Sequence, residues 1–382
     1  MLLGEGGGSK YAANMAAEKS EKANAFFTVA TKTCLIIALP LVVAGLFFAN
    51  PVSALLGAQG HILPMVADYT RVLLVFSPVI MMYYAFESFV RNDGTPGIAM
   101  VSSVILYAIN ILLDYIFILR MGLGMFGSGL ATALASSLAL SYLLLHWRKK
   151  ARFQLAPVFA AIKKTRAVFA IGAPTFVAQF LGGLNSLAFN WLFLRQLGNI
   201  GVAAFGIVST LSIVLYCVFT GIAQGMQPMA SHYYGKNDDK NLKKVLSLSI
   251  ATSVGAALLG IVVVFLFTGE LVSIFNQEPD AALSAQLASL SMTGARIYFP
   301  AFVFVGVTII ITYFLAATGA PKRALVLSAL QSGGIIPVAI ILAYFMGANG
   351  IWASHPIFEM TLIVLSFVFL VRANKLRKRF GK

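Results

Sequence analysis

The sequence predicts an all-α polytopic membrane protein built from two lobes, and three observations lead to this prediction. The 382 residues are 59% hydrophobic and 11% charged, with a mean hydropathy of +0.87, whereas soluble domains carry about 25% charged residues. The apolar residues form runs long enough for membrane spans of about 20 residues. One segment of the first half also recurs in the second half. Since isolated strands would leave backbone groups unpaired in lipid, the spans must be helices.

Ten apolar runs are long enough to be complete spans, and a helical fragment precedes them before about residue 17. Four spans fall in the first half of the chain and six in the second. They lie near residues 26–49, 63–90, 97–118, 125–147, 167–194, 201–234, 243–268, 284–316, 322–346 and 350–372.

The recurring segment is Arg71–Pro96, which returns 225 residues later as Arg296–Pro321. At this offset Gly94 aligns with Gly319. Both copies begin and end on the same side of the membrane, so the halves are parallel repeats rather than inverted ones. A membrane chain made of two copies of one unit is typical of secondary transporters.

The boundary between the lobes is placed in the basic connection Trp147–Arg166, giving an N-terminal lobe of residues 1–165 and a C-terminal lobe of residues 166–382. In the second lobe, Arg166–Gly225 comprises 60 residues up to and including the residue that corresponds to Gly4. The first lobe has only four residues there. We therefore expect the first lobe to lack about one and a half helices, with the fragment as the remnant of its second helix.

The net charge of +15 is distributed asymmetrically. Of the 28 basic residues, 23 fall in segments on the same side as the connection 148–166, and the opposite loops 50–61 and 269–283 contain no Lys or Arg. This asymmetry follows the positive-inside rule and predicts a cytoplasmic C-terminus. The basic residues therefore set topology and contact lipid headgroups, and they do not indicate a nucleic-acid partner.

Three long motifs lie in order along the chain: the Arg71–Pro96 element, which occurs twice, the segment Asn110–Ile118, and the segment Gly221–Pro228. In order and spacing they resemble the multidrug and toxic compound extrusion (MATE) family, over nearly the whole chain and most closely its bacterial branch. The resemblance implies a two-lobe MATE-type bundle that works as an efflux antiporter in the bacterial inner membrane. Such a protein exports amphipathic, often cationic, organic compounds in exchange for H⁺ or Na⁺.

We expect a monomer whose partners are small drugs or organic cations and membrane lipid, with no cofactor except the transported ion. The chain departs from the family pattern in two places. It has no counterpart of the first helix, which usually carries an Asp for cation coupling, and Gln179 stands where bacterial relatives often place a Glu after Pro174. A glutamine cannot bind and release a proton. Two alternatives stay open: an inactive truncated fragment, and a lipid-linked polysaccharide flippase of related architecture.

Acidic residues inside predicted spans are the candidates for cation or proton coupling, because buried acids are costly in a membrane and mark function. Asp114 lies one helical turn after Asn110, which favours either a cation site or a structural cap. Glu87 has Arg91 four residues later, so a helix ion pair is the alternative to coupling. Glu359 lies in the middle of the last span and is the candidate carboxylate of the second lobe.

Uncharged amides are the candidates for a substrate cavity. Gln179, Asn185 and Asn190 lie on one span, and Gln224 and Gln227 lie on the next. Side chains of this type bond neighbouring membrane helices to each other or line a polar cavity, and the sequence leaves both interpretations open.

A hinge is predicted in the span 322–346, where Gly333 and Gly334 are followed by Pro337. Glycine and proline in a membrane helix are tolerated where neighbouring helices or a cavity satisfy the freed carbonyls. Cation binding would bend this helix and release the substrate.

Enzyme chemistry is not indicated by the motifs. The four histidines are scattered, without a His-Glu-x-x-His metal spacing. The sequence contains no Walker loop, which excludes an ATP-driven pump, and we predict no metal site.

Overall fold

The computed structural model describes residues 1–55, 58, 60, 62–156, 162–276, 278 and 280–380. Within these residues the chain forms fourteen α-helices and no strand, which confirms the predicted all-α class. The helices are α1 (Leu2–Ala16), α2 (Ser20–Phe47), α3 (Ala49–Leu55), α4 (Ile62–Val75), α5 (Ser77–Asn92), α6 (Pro96–Asp114), α7 (Gly124–Lys150), α8 (Ile162–Leu197), α9 (Asn199–Gly235), α10 (Asp239–Phe275), α11 (Ala281–Tyr298), α12 (Phe302–Ala317), α13 (Pro321–Ala329) and α14 (Ile335–Phe380).

Eight helices in the described ranges are long and apolar enough to cross a membrane, or nine if the pair α4 and α5, bent by 55°, is one span. One of them, Pro321–Ala373, is 53 residues long. At about 1.5 Å per residue it would extend about 80 Å, far more than a hydrocarbon core of about 30 Å. Gly347 interrupts it with φ 60° and ψ −140°, so the segment supplies two spans. Counted this way, the described residues supply ten candidate spans, in line with the ten apolar runs of the sequence.

The chain divides into two compact units, Met1–Gly172 and Ala173–Lys382. The division falls within α8, seven residues after the predicted end of the first lobe at Thr165. The difference arises because the first part of α8 packs against α1, where Gly6 closely approaches the backbone oxygen of Val168. The assignment of residues 1–165 and 166–382 to two lobes stays a prediction.

Each unit has its own apolar core. In unit 1, Tyr11, Phe27, Phe86, Phe89 and Phe153 form an aromatic cluster with edge-to-face ring contacts. Ring pairs of this geometry contribute stability beyond the area they bury.

The core of unit 2 is centred on Trp352, which is buried and lies 4.3 Å from the ring centroid of Phe193. Gly294 allows this packing, because a Cβ at that position would lie 2.6 Å from the indole ring.

The two copies of the repeated segment have the same local structure. Gly94 and Gly319 adopt φ values of 93° and 83°, a region that glycine enters without steric penalty. Pro96 and Pro321 then begin α6 and α13, where the missing N–H of proline is not needed. The repeated Gly-x-Pro pattern therefore encodes the same turn into a helix in both halves.

The glycine run Gly6–Gly8 lets α1 approach its neighbours closely. A Cβ on Gly6 would lie 2.0 Å from the backbone oxygen of Val168, and a Cβ on Gly172 would lie 2.0 Å from the backbone oxygen of Leu2. The backbones of α1 and α8 are thus in direct contact, a packing that only small residues permit in membrane helices.

Replacing Gly6 by alanine is expected to lower the free energy of unfolding by about 1–3 kcal/mol, because one of the two helix backbones must move to admit the methyl group. Unfolding by SDS titration in mixed micelles measures this change. Gly182→Ala is the matched control, since a Cβ there has no heavy atom within 4 Å. Equal stability of the two variants would contradict the close contact.

Candidate functional site

The most buried acidic side chain in unit 2 is Glu359, in the second span of α14, with 1% of its surface exposed. The side-chain amide of Gln331 donates to both carboxylate oxygens, with Nε2 at 3.4 and 3.3 Å. Gln331 belongs to a short π-helical stretch, Leu330–Gly334, between α13 and α14. In the part of the chain that the structure describes, no Lys or Arg lies within ion-pair distance of this carboxylate. The acid is therefore held by neutral groups.

His355 lies one helical turn before Glu359 and is also buried, with 2% of its surface exposed. Its ring stacks on Tyr298 of α11, with centroids 3.9 Å apart and planes 5° apart. Its Nε2 lies 3.4 Å from the hydroxyl oxygen of Tyr216 in α9. Helices α9, α11 and α14 and the π-helical stretch thus bring five polar side chains into the apolar core of unit 2. These side chains are Tyr216, Tyr298, Gln331, His355 and Glu359.

Only Glu359 of this cluster is among the predicted site residues. The i, i+4 spacing of His355 and Glu359 places both on one helix face and could have drawn attention to the histidine. No sequence spacing links Glu359 to Tyr216, Tyr298 or Gln331, because these residues lie in other segments, far from Glu359 along the chain.

Glu87, predicted as a coupling acid, lies in α5 of unit 1 and forms an ion pair with Arg91, four residues later. Arg91 also lies 3.6 Å from Glu5 of α1, measured from Nη1 to Oε1. Both Glu5 and Arg91 are buried. A guanidinium beside two carboxylates favours the ion-pair interpretation of Glu87, and a coupling role for Glu87 stays a prediction.

Asp114 is the last residue of α6 and directly precedes a π-helical segment, Tyr115–Arg120. Its side chain is half-buried, and its Oδ1 is buried with no hydrogen-bond partner among the described residues. Asn110, one turn earlier, donates instead to the hydroxyl of Thr132 at 3.3 Å. The sequence places Asn110 and Asp114 on one face of α6, and in the structure Asn110 uses this face to bond α6 to α7. A role for Asp114 in cation coupling stays a prediction.

The five amides predicted to line a cavity are in different environments. Gln179 is exposed, Gln227 is buried, and the other three are half-buried. Among the described residues, no hydrogen bond joins any two of these five amides; Asn185 Oδ1 and Gln227 Oε1 are buried without a hydrogen-bond partner. The five amides of the predicted cavity are Gln179, Asn185, Asn190, Gln224 and Gln227.

The predicted hinge coincides with the π-helical stretch that carries Gln331. Gly333 and Gly334 are its last two residues, and Pro337 lies in the first turn of α14. A Cβ on Gly334 would lie 2.8 Å from the ring of Phe358, the residue before Glu359. Short π-helical stretches occur frequently at functional sites, but bending at this one stays a prediction.

The sequence model of the MatE family matches residues 1–116 and 174–345. The two matched segments together include most of the chain and fall on the two repeats. This chain belongs to the MatE family.

Among curated relatives, the chain is similar to the multidrug export protein MepA of Staphylococcus saprophyticus, with 26% identity over 378 residues, 97% of this chain and 82% of that protein. It is also similar to the multidrug export protein MepA of Staphylococcus haemolyticus, with 27% identity over 385 residues, 99% of this chain and 82% of that protein.

Two solved structures confirm the MatE fold. A crystal structure of MATE in complex with MaL6 matches with a TM-score of 0.92 and 19% identity, covering 99% of this chain and 85% of that chain. A MOP superfamily transporter from Pyrococcus furiosus matches with a TM-score of 0.91 and 19% identity, covering 98% of this chain and 84% of that chain.

Proposed function

We propose that this protein is a multidrug efflux antiporter, which exports amphipathic, often cationic, organic compounds in exchange for H⁺ or Na⁺. Membership of the MatE family and the multidrug export proteins among its relatives support the export of organic compounds. The coupling to an ion is supported by the cluster around Glu359.

The single observation that carries the coupling is the burial of Glu359 without a cationic partner in the described residues. An ionised carboxylate in an apolar interior is costly unless a positive charge compensates it. A proton or a Na⁺ ion can supply that compensation and then leave. A carboxylate of this kind inside a membrane span is suited to alternate between an occupied and an empty state.

The neighbours of Glu359 supply a route from ion occupancy to helix movement. Gln331 contacts the carboxylate and lies in the same π-helical stretch as Gly333 and Gly334. When an ion or proton occupies Glu359, the carboxylate becomes a weaker acceptor for the amide of Gln331. The contact between α14 and this stretch then loosens, and the stretch is free to bend.

The protein is a multi-pass protein of the bacterial inner membrane, with a cytoplasmic C-terminus and a monomeric state. It needs no cofactor beyond the transported H⁺ or Na⁺. The distribution of basic residues supports this orientation.

The proposal is tested in proteoliposomes that contain the purified protein and ethidium. An outside-to-inside gradient of H⁺ or of Na⁺ is imposed separately, and an equal gradient of K⁺ is the control. We expect one of the first two gradients to drive ethidium out at least about tenfold faster than K⁺, because only the coupling ion contributes free energy to export. Equal rates with all three gradients would contradict antiport, and no ethidium movement at all would contradict efflux.

A further inference from the structure

The exposed face of α7 carries two leucines, with the exposed Ser141 between them, and ends in two basic residues. Leu138 and Leu145 are 50% and 58% exposed and lie seven residues apart, which places them on the same face. Arg148 and Lys149 follow Leu145 by three and four residues and are also exposed. A single face of the helix therefore runs from apolar to cationic at the point where the span ends.

A cavity of about 370 Å³ lies at this end of α7. Trp147, Arg148 and Lys149 form one wall, and the segment after the helix forms the other through Ala151, Phe153 and Gln154. A tryptophan beside basic side chains at a span end is typical of the membrane–water interface.

The segment after α7, which we call the strap (residues 151–156), is held by hydrogen bonds to other parts of unit 1. The backbone N–H and the Nε of Arg152 donate to the carboxylate of Asp93 at 2.9 and 3.1 Å. The indole N–H of Trp147 donates to the carbonyl oxygen of Phe153 at 2.8 Å. The side chain of Phe153 is fully buried in the aromatic cluster of unit 1. The second wall of the cavity is thus held in place before any ligand binds.

The rest of the strap is fixed by side chains of α2. The backbone N–H of Gln154 donates to Asn24 Oδ1 at 3.1 Å, and that of Ala156 donates to Thr28 Oγ1 at 2.8 Å. Between them, Leu155 is 59% exposed. The strap therefore adds a further apolar side chain beside the cavity.

The two basic residues of the cavity are free to bind an anion. In the described part of the chain, no carboxylate lies within 4.0 Å of the charged groups of Arg148 or Lys149. The nearby Asp93 is already occupied by Arg152 and by the hydroxyl of Tyr11, which donates to it at 2.6 Å.

We propose that this cavity binds the headgroup of an anionic phospholipid. The phosphate lies between Arg148 and Lys149, and one acyl chain follows Leu145 and Leu138 along α7. Basic pockets at the ends of membrane helices bind lipid headgroups of this class. A lipid is favoured over a soluble phosphate because the cationic pair lies on the same helix face as the exposed Leu138 and Leu145, which a soluble anion would leave uncovered.

The test is native mass spectrometry of the detergent-solubilised protein mixed with equal amounts of phosphatidylglycerol and phosphatidylcholine. We expect phosphatidylglycerol to be retained about tenfold better by the unchanged protein, because each basic residue near the phosphate favours the anionic headgroup. The double substitution Arg148→Gln/Lys149→Gln should lower this preference to about twofold. The exchange Arg148→Lys/Lys149→Arg keeps both charges and should preserve the preference.

Lys243→Gln/Lys244→Gln is the matched control, since it removes an adjacent, exposed basic pair at the start of α10. An unchanged preference in the Arg148/Lys149 double variant would overturn the proposal. So would an equal loss in the control, which would mean a diffuse effect of surface charge. Complete loss of the preference in an excess of inorganic phosphate would assign the site to a soluble anion instead. Size-exclusion elution at the same volume for all variants shows that the comparison concerns folded protein.

Discussion

Replacing Glu359 by glutamine is expected to abolish ion-driven export of ethidium, with a loss of rate of at least about 100-fold. Glutamine has nearly the shape of glutamate and keeps a hydrogen-bond acceptor toward Gln331, but it cannot bind and release a proton and has no charge for Na⁺. The buried cluster of unit 2 then stays in a single state, and an imposed gradient has no group on which to act. Ethidium efflux from proteoliposomes under the effective gradient measures this loss.

Two controls separate coupling from folding in the Glu359→Gln variant. Glu270→Gln removes an exposed acid near the end of α10 and should export ethidium at the unchanged rate. Ethidium binding to the Glu359→Gln protein, followed by its fluorescence without a gradient, should remain within about twofold, because the substitution removes only the ion-dependent step. Gradient-driven export at the unchanged rate would remove Glu359 from the mechanism and leave Asp114 as the next candidate.

Replacing Arg91 by methionine is expected to cause the largest loss of stability in unit 1, about 3–5 kcal/mol in the free energy of unfolding. The guanidinium of Arg91 lies between Glu87 and Glu5, and all three side chains are largely removed from solvent. Methionine preserves most of the side-chain volume but leaves two buried carboxylates without this cation. Unfolding by SDS titration in mixed micelles measures the change.

The triple variant Arg91→Met/Glu5→Gln/Glu87→Gln tests the cause of this loss. If uncompensated charge is responsible, it should regain most of the stability, because no buried carboxylate of the group remains. Arg71→Met is the matched control: Arg71 and its partner Asp68 are both about half exposed, and an exposed pair contributes about 1 kcal/mol or less. A similar loss of unfolding free energy in Arg71→Met and Arg91→Met would show that the buried ion pair contributes no more stability than the exposed one.

Much of the fold could be predicted from the sequence because a membrane imposes strong and local constraints. Each span must be a long apolar helix, and the basic residues are expected on the cytoplasmic side. The break at Gly347 was also predictable, since the hydropathy pattern placed one span end at 346 and the next start at 350. The bend between α4 and α5 was not predicted, and the sequence pattern had shown a single span near 63–90.

The candidate site was predictable only in part. Glu359 stands out in the sequence because an acid in the middle of an apolar run has no local explanation. Gln331, Tyr216 and Tyr298 do not stand out, since an amide or a tyrosine in a membrane helix has several ordinary roles. The difference between Glu87 and Glu359 illustrates the limit: both are acids within spans, yet one contacts an arginine and the other an amide.

The sequence by itself determined the helical class of this protein and the places of its long apolar helices, because those follow from hydropathy within short stretches of chain. Only the tertiary structure decided which acid is compensated and which is not, and which basic residues face an open cavity. These properties depend on the distances between side chains from different helices, and such distances are set by packing rather than by position along the chain.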